Sequence, residues 1–149
     1  LMIEKPERKL DTIIDAGADI ITIHQESTTR LYSCIEKIKS RGVKAGVVLS
    51  PATNEDTLKY VLDKIDMILL MTINPGEAGP GFHEELLTKI KNVRELIGDR
   101  DIDLEVDGGI DNTNIAKCKE AGVNVFVSGG YVFKGDIAEK IKTLREALK

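Results

Sequence analysis

Asp107 closes the segment Leu104-Glu105-Val106-Asp107-Gly108-Gly109-Ile110, in which apolar and acidic residues alternate before a pair of glycines. Alternation with a period of two is a strand signature, so Glu105 and Asp107 are expected on one face and Leu104 and Val106 on the other. A carboxylate at the carboxyl end of a buried parallel strand, followed by glycines that let a ligand approach the backbone, is where α/β enzymes place their chemistry. Taken alone, an Asp at this place would serve equally well as a helix cap or a turn residue. Glu105 weighs against that role, because two inward carboxylates on one strand carry a desolvation cost that a divalent metal or a proton-transfer task would explain.

Two more glycine-bearing loops follow strand-like runs: Asn74-Pro75-Gly76-Glu77-Ala78-Gly79-Pro80-Gly81 and Ser128-Gly129-Gly130. Backbone N–H groups in such turns, beside the start of a helix, make an anion site that needs no Lys or Arg, so a phosphate group is the expected ligand. His24 ends an earlier strand on the face of Thr22, with Glu26 close by, and is read as a rim residue; His83 is expected to be exposed at a helix start. Met71 and Met2 read as apolar packing. Cys34 and Cys118 fall in helical stretches without metal-ligand spacing and read as buried, reduced thiols. The chain has no GxGxxG after its first strand, no phosphate-loop GK[ST] and no GxSxG elbow, so nucleotide-binding and serine-hydrolase readings fall away.

These residues need a scaffold, and the apolar runs supply one. Strands are expected at Ile20–His24, Ala45–Ser50, Met67–Ile73, Ile102–Asp107 and Val123–Ser128. Helices are expected at Pro6–Ala16, Thr29–Arg41, Glu55–Lys64, His83–Ile97, Thr113–Ala121 and Asp136–Leu148. Ala16-Gly17-Ala18-Asp19, Arg41-Gly42-Val43-Lys44 and Ala121-Gly122-Val123-Asn124 read as αβ loops closed by a left-handed glycine. One helix followed by five βα units demands a parallel sheet, either barrel-like or open and doubly wound, within a single domain of residues 1–149.

The net charge of −4 is spread without a basic face, so no nucleic-acid partner is expected. The longest apolar run, Met67–Ile73, is far short of the roughly 20 residues of a membrane span. No charged-then-apolar leader is visible. The expectation is a cytoplasmic protein with a small-molecule substrate.

Met71-Thr72-Ile73-Asn74-Pro75-Gly76, Val106-Asp107-Gly108-Gly109-Ile110 and Val127-Ser128-Gly129-Gly130 resemble the ribulose-phosphate 3-epimerase family, including its relatives that act on allulose 6-phosphate. The likeness runs from Leu1-Met2-Ile3-Glu4-Lys5-Pro6 through Ile23-His24-Gln25-Glu26 to the carboxyl end. It implies a (β/α)₈ TIM-barrel lineage and proton transfer at C3 of a ketose phosphate of the ribulose 5-phosphate/xylulose 5-phosphate type. The family uses two aspartates on opposite faces of the substrate and a divalent metal facing an enediolate. By resemblance Asp107 is a metal ligand and one of the two acid/base residues, and zinc, iron, manganese or cobalt would suit such a site. Phosphate would rest on Gly76, Glu77, Ala78, Gly79, Gly108, Gly109, Gly129 and Gly130, with Met71 in an apolar floor.

This sequence also departs from the family pattern. Where the phosphate loop usually reads Pro-Gly-Phe-Gly-Gly-Gln, Glu77, Ala78 and Pro80 stand in place of the Phe, a Gly and the Gln, and a carboxylate at Glu77 would repel phosphate unless turned outward. Members carry three earlier strands with a His-x-Asp pair and, just before the position of Leu1, another His ligand; neither His24 nor Glu26 matches those positions. The resemblance therefore implies an incomplete barrel and an incomplete metal site, with little or no turnover by these residues alone. Five strands cannot close an eight-strand barrel, so a second copy of the chain or the missing amino-terminal segment is expected to cover the open edges. The alternative is a non-catalytic phosphosugar-binding or scaffold module. A hexulose-phosphate synthase or decarboxylase relative would carry Asp-x-Lys-x-x-Asp, which is absent.

Overall fold

The computed structural model describes residues 1–77 and 81–149. Five short strands, β1 (Ile20–His24), β2 (Lys44–Leu49), β3 (Met67–Met71), β4 (Asp103–Asp107) and β5 (Val125–Val127), form one parallel sheet ordered β1-β2-β3-β4-β5. Between and around them run α1 (Leu10–Asp15), α2 (Leu31–Ser40), α3 (Leu86–Ile97), α4 (Ile115–Glu120) and α5 (Ile137–Ala147). When parallel neighbours pair in sequence order, right-handed crossovers put every connecting helix on the same side of the sheet. The result is an arc of a β/α barrel, not a doubly wound sheet.

Burial follows this one-sided layering. Ile21, Ile23, Val47, Leu49, Ile68, Leu70, Leu104 and Val106 join Ile35, Ile38, Ile90, Val93 and Ile97 in the main core beneath the helices. Val48, Leu69 and Met71 form a small separate cluster on the opposite, concave face. The alternation in β4 places Leu104 and Val106 in the core and leaves Glu105 and Asp107 half-buried on the concave side, as their spacing requires.

All five strands lie where the apolar runs place them, with β5 shortened to three residues. Its ladder spans only Glu105–Asp107 of β4, and Asn124 ahead of it accepts the Leu104 amide at 2.7 Å through its side chain instead of extending the strand. The expected αβ loops close at Gly17, Gly42 and Gly122, whose φ values are +90°, +75° and +110°. Two helical expectations change. Pro6–Ala16 divides into a 3₁₀ turn at Pro6–Arg8 and α1. Glu55–Lys64 is not an α-helix but two 3₁₀ turns, Glu55–Leu58 and Leu62–Lys64. Leu58, Val61, Leu62 and Ile65 are buried all the same, a spacing that an α-helix and a pair of 3₁₀ turns both satisfy. α3 begins at Leu86, leaving His83 exposed in the turn before it.

β1 and β5 are the outer strands. On the free side of β1 the Leu1 amino group donates to the Thr22 carbonyl at 2.7 Å. Among the described residues no helix is long and apolar enough to cross a membrane.

Candidate functional site

The carboxyl ends of β3, β4 and β5 rise to one rim, where the register sets Asp107 between Met71 and Val127. A cleft of about 660 Å³ opens there, and Glu77, Asp107, Gly108, Gly109, Gly129 and Gly130 all line it. Loops separated in sequence by some twenty to fifty residues are thereby brought around one carboxylate. Ala78 and Gly79, also expected at a phosphate site, lie outside the described residues.

The turn after Asp107 is held by side chains from three directions. Thr72 donates its hydroxyl to the Gly108 carbonyl, Asn114 donates Nδ2 to the Gly109 carbonyl at 2.8 Å, and Ser128 donates Oγ to the Ile110 carbonyl at 2.7 Å. Asn114 also accepts the Asp111 amide at 3.0 Å. With three successive carbonyls engaged, the orientation of the Gly108–Ile110 peptides is fixed before any ligand arrives. Glycine is required on steric grounds as well. At Gly109, with φ of +65°, a Cβ would stand 2.7 Å from the Phe82 amide nitrogen, and at Gly108, with φ of +126°, 2.8 Å from that of Ile73. Gly129 and Gly130 have no atom within 4 Å of a would-be Cβ, so their side of the cleft is open.

Burial pushes the Asp107 carboxyl above the usual aspartate range, which brings it nearer the poise of a general base at neutral pH. Glu105 is pushed up by burial first, then by the charges of Asp107 and Asp103. A pair of half-buried carboxylates on one strand is the arrangement that their spacing predicts.

Gly76 lies apart from the other glycines. The Glu77 amide donates to the Asn74 carbonyl at 3.1 Å, and the chain reverses at Gly76 with φ of +83°. The reversal sends Glu77 to the Asp107 cleft and leaves Gly76 in a neighbouring cleft of about 510 Å³, with Met2, His24, Glu26 and Ser50. In that second cleft His24 is buried, its Nδ1 3.4 Å from Glu26 Oε2. Burial pulls the imidazole below the ordinary histidine range, against the opposing pull of Glu26. Burial would raise Glu26 itself, but the Thr53 hydroxyl and the Ser50 amide, at 2.8 Å, donate to it and hold it low.

Several residues that shape the rim have no role among the sequence-based expectations. Thr72, Asn114 and Ser128 pin the glycine turn, and Lys89 in α3 donates to the carbonyls of Ser50, Pro51 and Thr53 in the loop after β2. Thr72 and Ser128 lie at strand ends inside the family-like runs Met71–Gly76 and Val127–Gly130, which is the signal that could have found them; Asn114 and Lys89 reach their partners through the fold. Among the described residues no three His, Cys, Asp or Glu side chains converge to hold a metal ion. Asp107, with Glu105 below it, does not by itself make the metal centre implied by resemblance. Cys34 and Cys118 are buried and free, with the Cys118 thiol pushed up to about 11 by burial.

The chain is similar to known proteins in sequence and in fold. A chloroplastic ribulose-5-phosphate-3-epimerase of Arabidopsis thaliana is 43% identical over 97% of this chain and 53% of its own length. The ribulose-phosphate 3-epimerases of Bacillus subtilis and Escherichia coli K12 are 41% and 40% identical, and the chain spans 69% and 67% of their lengths. In fold, a crystal structure of 3-hexulose-6-phosphate synthase superimposes with a TM-score of 0.77 at 24% identity, covering 99% of this chain and 70% of that one. A 3-keto-L-gulonate-6-phosphate decarboxylase from Vibrio cholerae gives 0.77 at 19%, covering 98% and 68%. The family model for ribulose-phosphate 3 epimerases matches residues 1–133, and with the Asp107 strand, the glycine turns and the one-sided sheet all in place, this chain belongs to that family.

Proposed function

We propose that this chain carries the phosphate cradle and one acid/base residue for 3-epimerisation of a ketose phosphate of the ribulose 5-phosphate/xylulose 5-phosphate type. The observation that carries the reading is the meeting of Asp107 with the glycines of two successive βα loops in one cleft. Amides of the Gly108-Gly109 and Gly129-Gly130 turns, with Glu77 at the margin, receive the phosphoryl group, and C3 of the sugar lies toward Asp107. The Asp107 carboxylate then takes the C3 proton. The C–H pair becomes the C2–C3 double bond, the carbonyl pair moves onto O2, and Asp107 later returns a proton to C3.

The family resemblance implies a divalent metal with Asp107 as one ligand, but the described residues do not complete such a site. Without a charge on the far side of O2 the enediolate is poorly stabilised, and residues 1–149 by themselves are expected to show little or no turnover. We assign cover of the β1 and β5 edges to a second copy or to further polypeptide. The free, buried thiols suit a reducing compartment such as the cytoplasm.

A single acid addresses one face of the substrate, which gives the reading a sharp test. With ribulose 5-phosphate in D2O, the chain should exchange the C3 proton slowly and without inversion, seen as loss of the C3 proton signal by NMR, while a coupled epimerase assay stays near background. Asp107→Asn should abolish the exchange and leave ligand-induced thermal stabilisation in place. Stabilisation by the phosphosugar with no exchange above the Asp107→Asn control would instead mark a non-catalytic phosphosugar-binding module.

A further inference from the structure

The phosphate reading meets a difficulty of charge: Glu77, Asp107 and Asp111 line the cleft, whereas peptide amides supply only partial positive charge. A phosphate monoester brings about −1.5 to −2 more at neutral pH. Asp111 is engaged elsewhere, accepting the Thr113 amide at 2.8 Å and its hydroxyl at 2.6 Å. Glu77 accepts Asn74 Nδ2 at 3.2 Å but remains exposed at the margin.

One cation answers this among the described lining residues. The chain turns back after the last glycine pair, with the Phe133 amide donating to the Gly129 carbonyl at 3.1 Å and the Lys134 amide to the Tyr131 carbonyl at 3.4 Å. That turn sets Lys134 in the lining of the cleft that Glu77 also lines. Lys140, the nearby alternative, is occupied, with Nζ 4.4 Å above the Tyr131 ring. Among the described residues no carboxylate lies within ion-pair distance of the Lys134 ammonium.

We propose that Lys134 is a phosphoryl-binding cation of this cleft, offsetting Glu77 and adding a charged contact to the amides of the glycine turns. The proposal rests on the phosphate reading above and adds a charged contact to it. A flexible four-carbon stem suits the role, because the ammonium meets the anion as a point charge without fixed geometry.

The test is calorimetric titration of the chain with inorganic phosphate at low and moderate salt, with circular dichroism to check that each variant is folded. Lys134→Met should weaken binding about tenfold or more and flatten its salt dependence, whereas Lys134→Arg should stay within about threefold of the parent. Glu77→Gln should tighten binding. Unchanged affinity in Lys134→Met overturns the proposal and leaves the glycine cradle standing. Gly130→Leu, whose Cβ meets nothing within 4 Å, separates the two ideas by filling the open side of the cleft. Binding that survives Gly130→Leu but is lost in Lys134→Met places the anion outside the cleft and overturns both, as does a parent chain that binds no phosphate.

Discussion

Asp107 and Glu105 differ in what their raised pKa values do. Asp107 stands at the rim, where the proposed proton transfer would draw on a group nearer neutrality, whereas Glu105 lies one residue pair deeper beside Leu69 and Val125. A carboxylic acid whose pKa is raised on folding binds more protons folded than unfolded. Its unfavourable contribution is therefore absent below the ordinary carboxylate range, grows as the pH rises from there, and levels off above the folded-state pKa. Glu105→Gln should raise Tm at pH 7 by about 2 °C, a figure kept small because the side chain is only half-buried, and the gain should vanish near pH 4. Thermal melts across that range check it; a gain equally large at pH 4 would mean that packing, not charge, was relieved.

The elements work as levers for the loops they end in. α3 does more than cover β3 and β4, because Lys89 reaches from it to three carbonyls of the loop after β2, while Ser50 and Thr53 of the same loop donate to Glu26. The rim from β1 to β2 is thus tied to a helix that follows β3. Lys89→Met keeps the stem and removes the donor, so the chain should lose about 1–2 kcal/mol on chemical denaturation. The amides of residues 50–53 should exchange faster, and the His24 ring signals should shift because Glu26 is released. A His24 environment that stays put would show that the loop holds itself.

At the scale of the molecule, the sheet is covered on one face by helices and is open along β1 and β5. Cover is also uneven along the chain. α5 contributes only Leu144 to the buried core, and Ile137 and Ile141, one turn apart, stay 47% and 37% exposed. Few buried contacts mean a low local opening free energy, so α5 amides should lose hydrogen-exchange protection well before those of β2 and β3. If α5 proves as protected as the central strands, something beyond the described contacts is holding it.

Much of this was legible in the sequence because it depends on local periodicity. Alternation in Leu104–Asp107 determined which side chains face the core, and the Gly17, Gly42 and Gly122 loops announced a left-handed backbone that few other residues adopt. The likeness to the family rests on short local runs, Val106–Ile110 and Val127–Gly130, and so is legible in the sequence itself. What local pattern could not decide was which loops meet. Gly76 and Glu77 are neighbours in the chain yet enter different clefts, because a single turn reverses between them. Thr72, Asn114 and Ser128 acquire their task only when three strands bring their ends together. The spacing of Leu58, Val61, Leu62 and Ile65 fitted a helix as well as 3₁₀ turns, and packing of that short connection chose the latter. Periodicity records which way a side chain points from its own backbone; the partners it finds there come from residues far off in sequence, and only the assembled sheet brings them into reach.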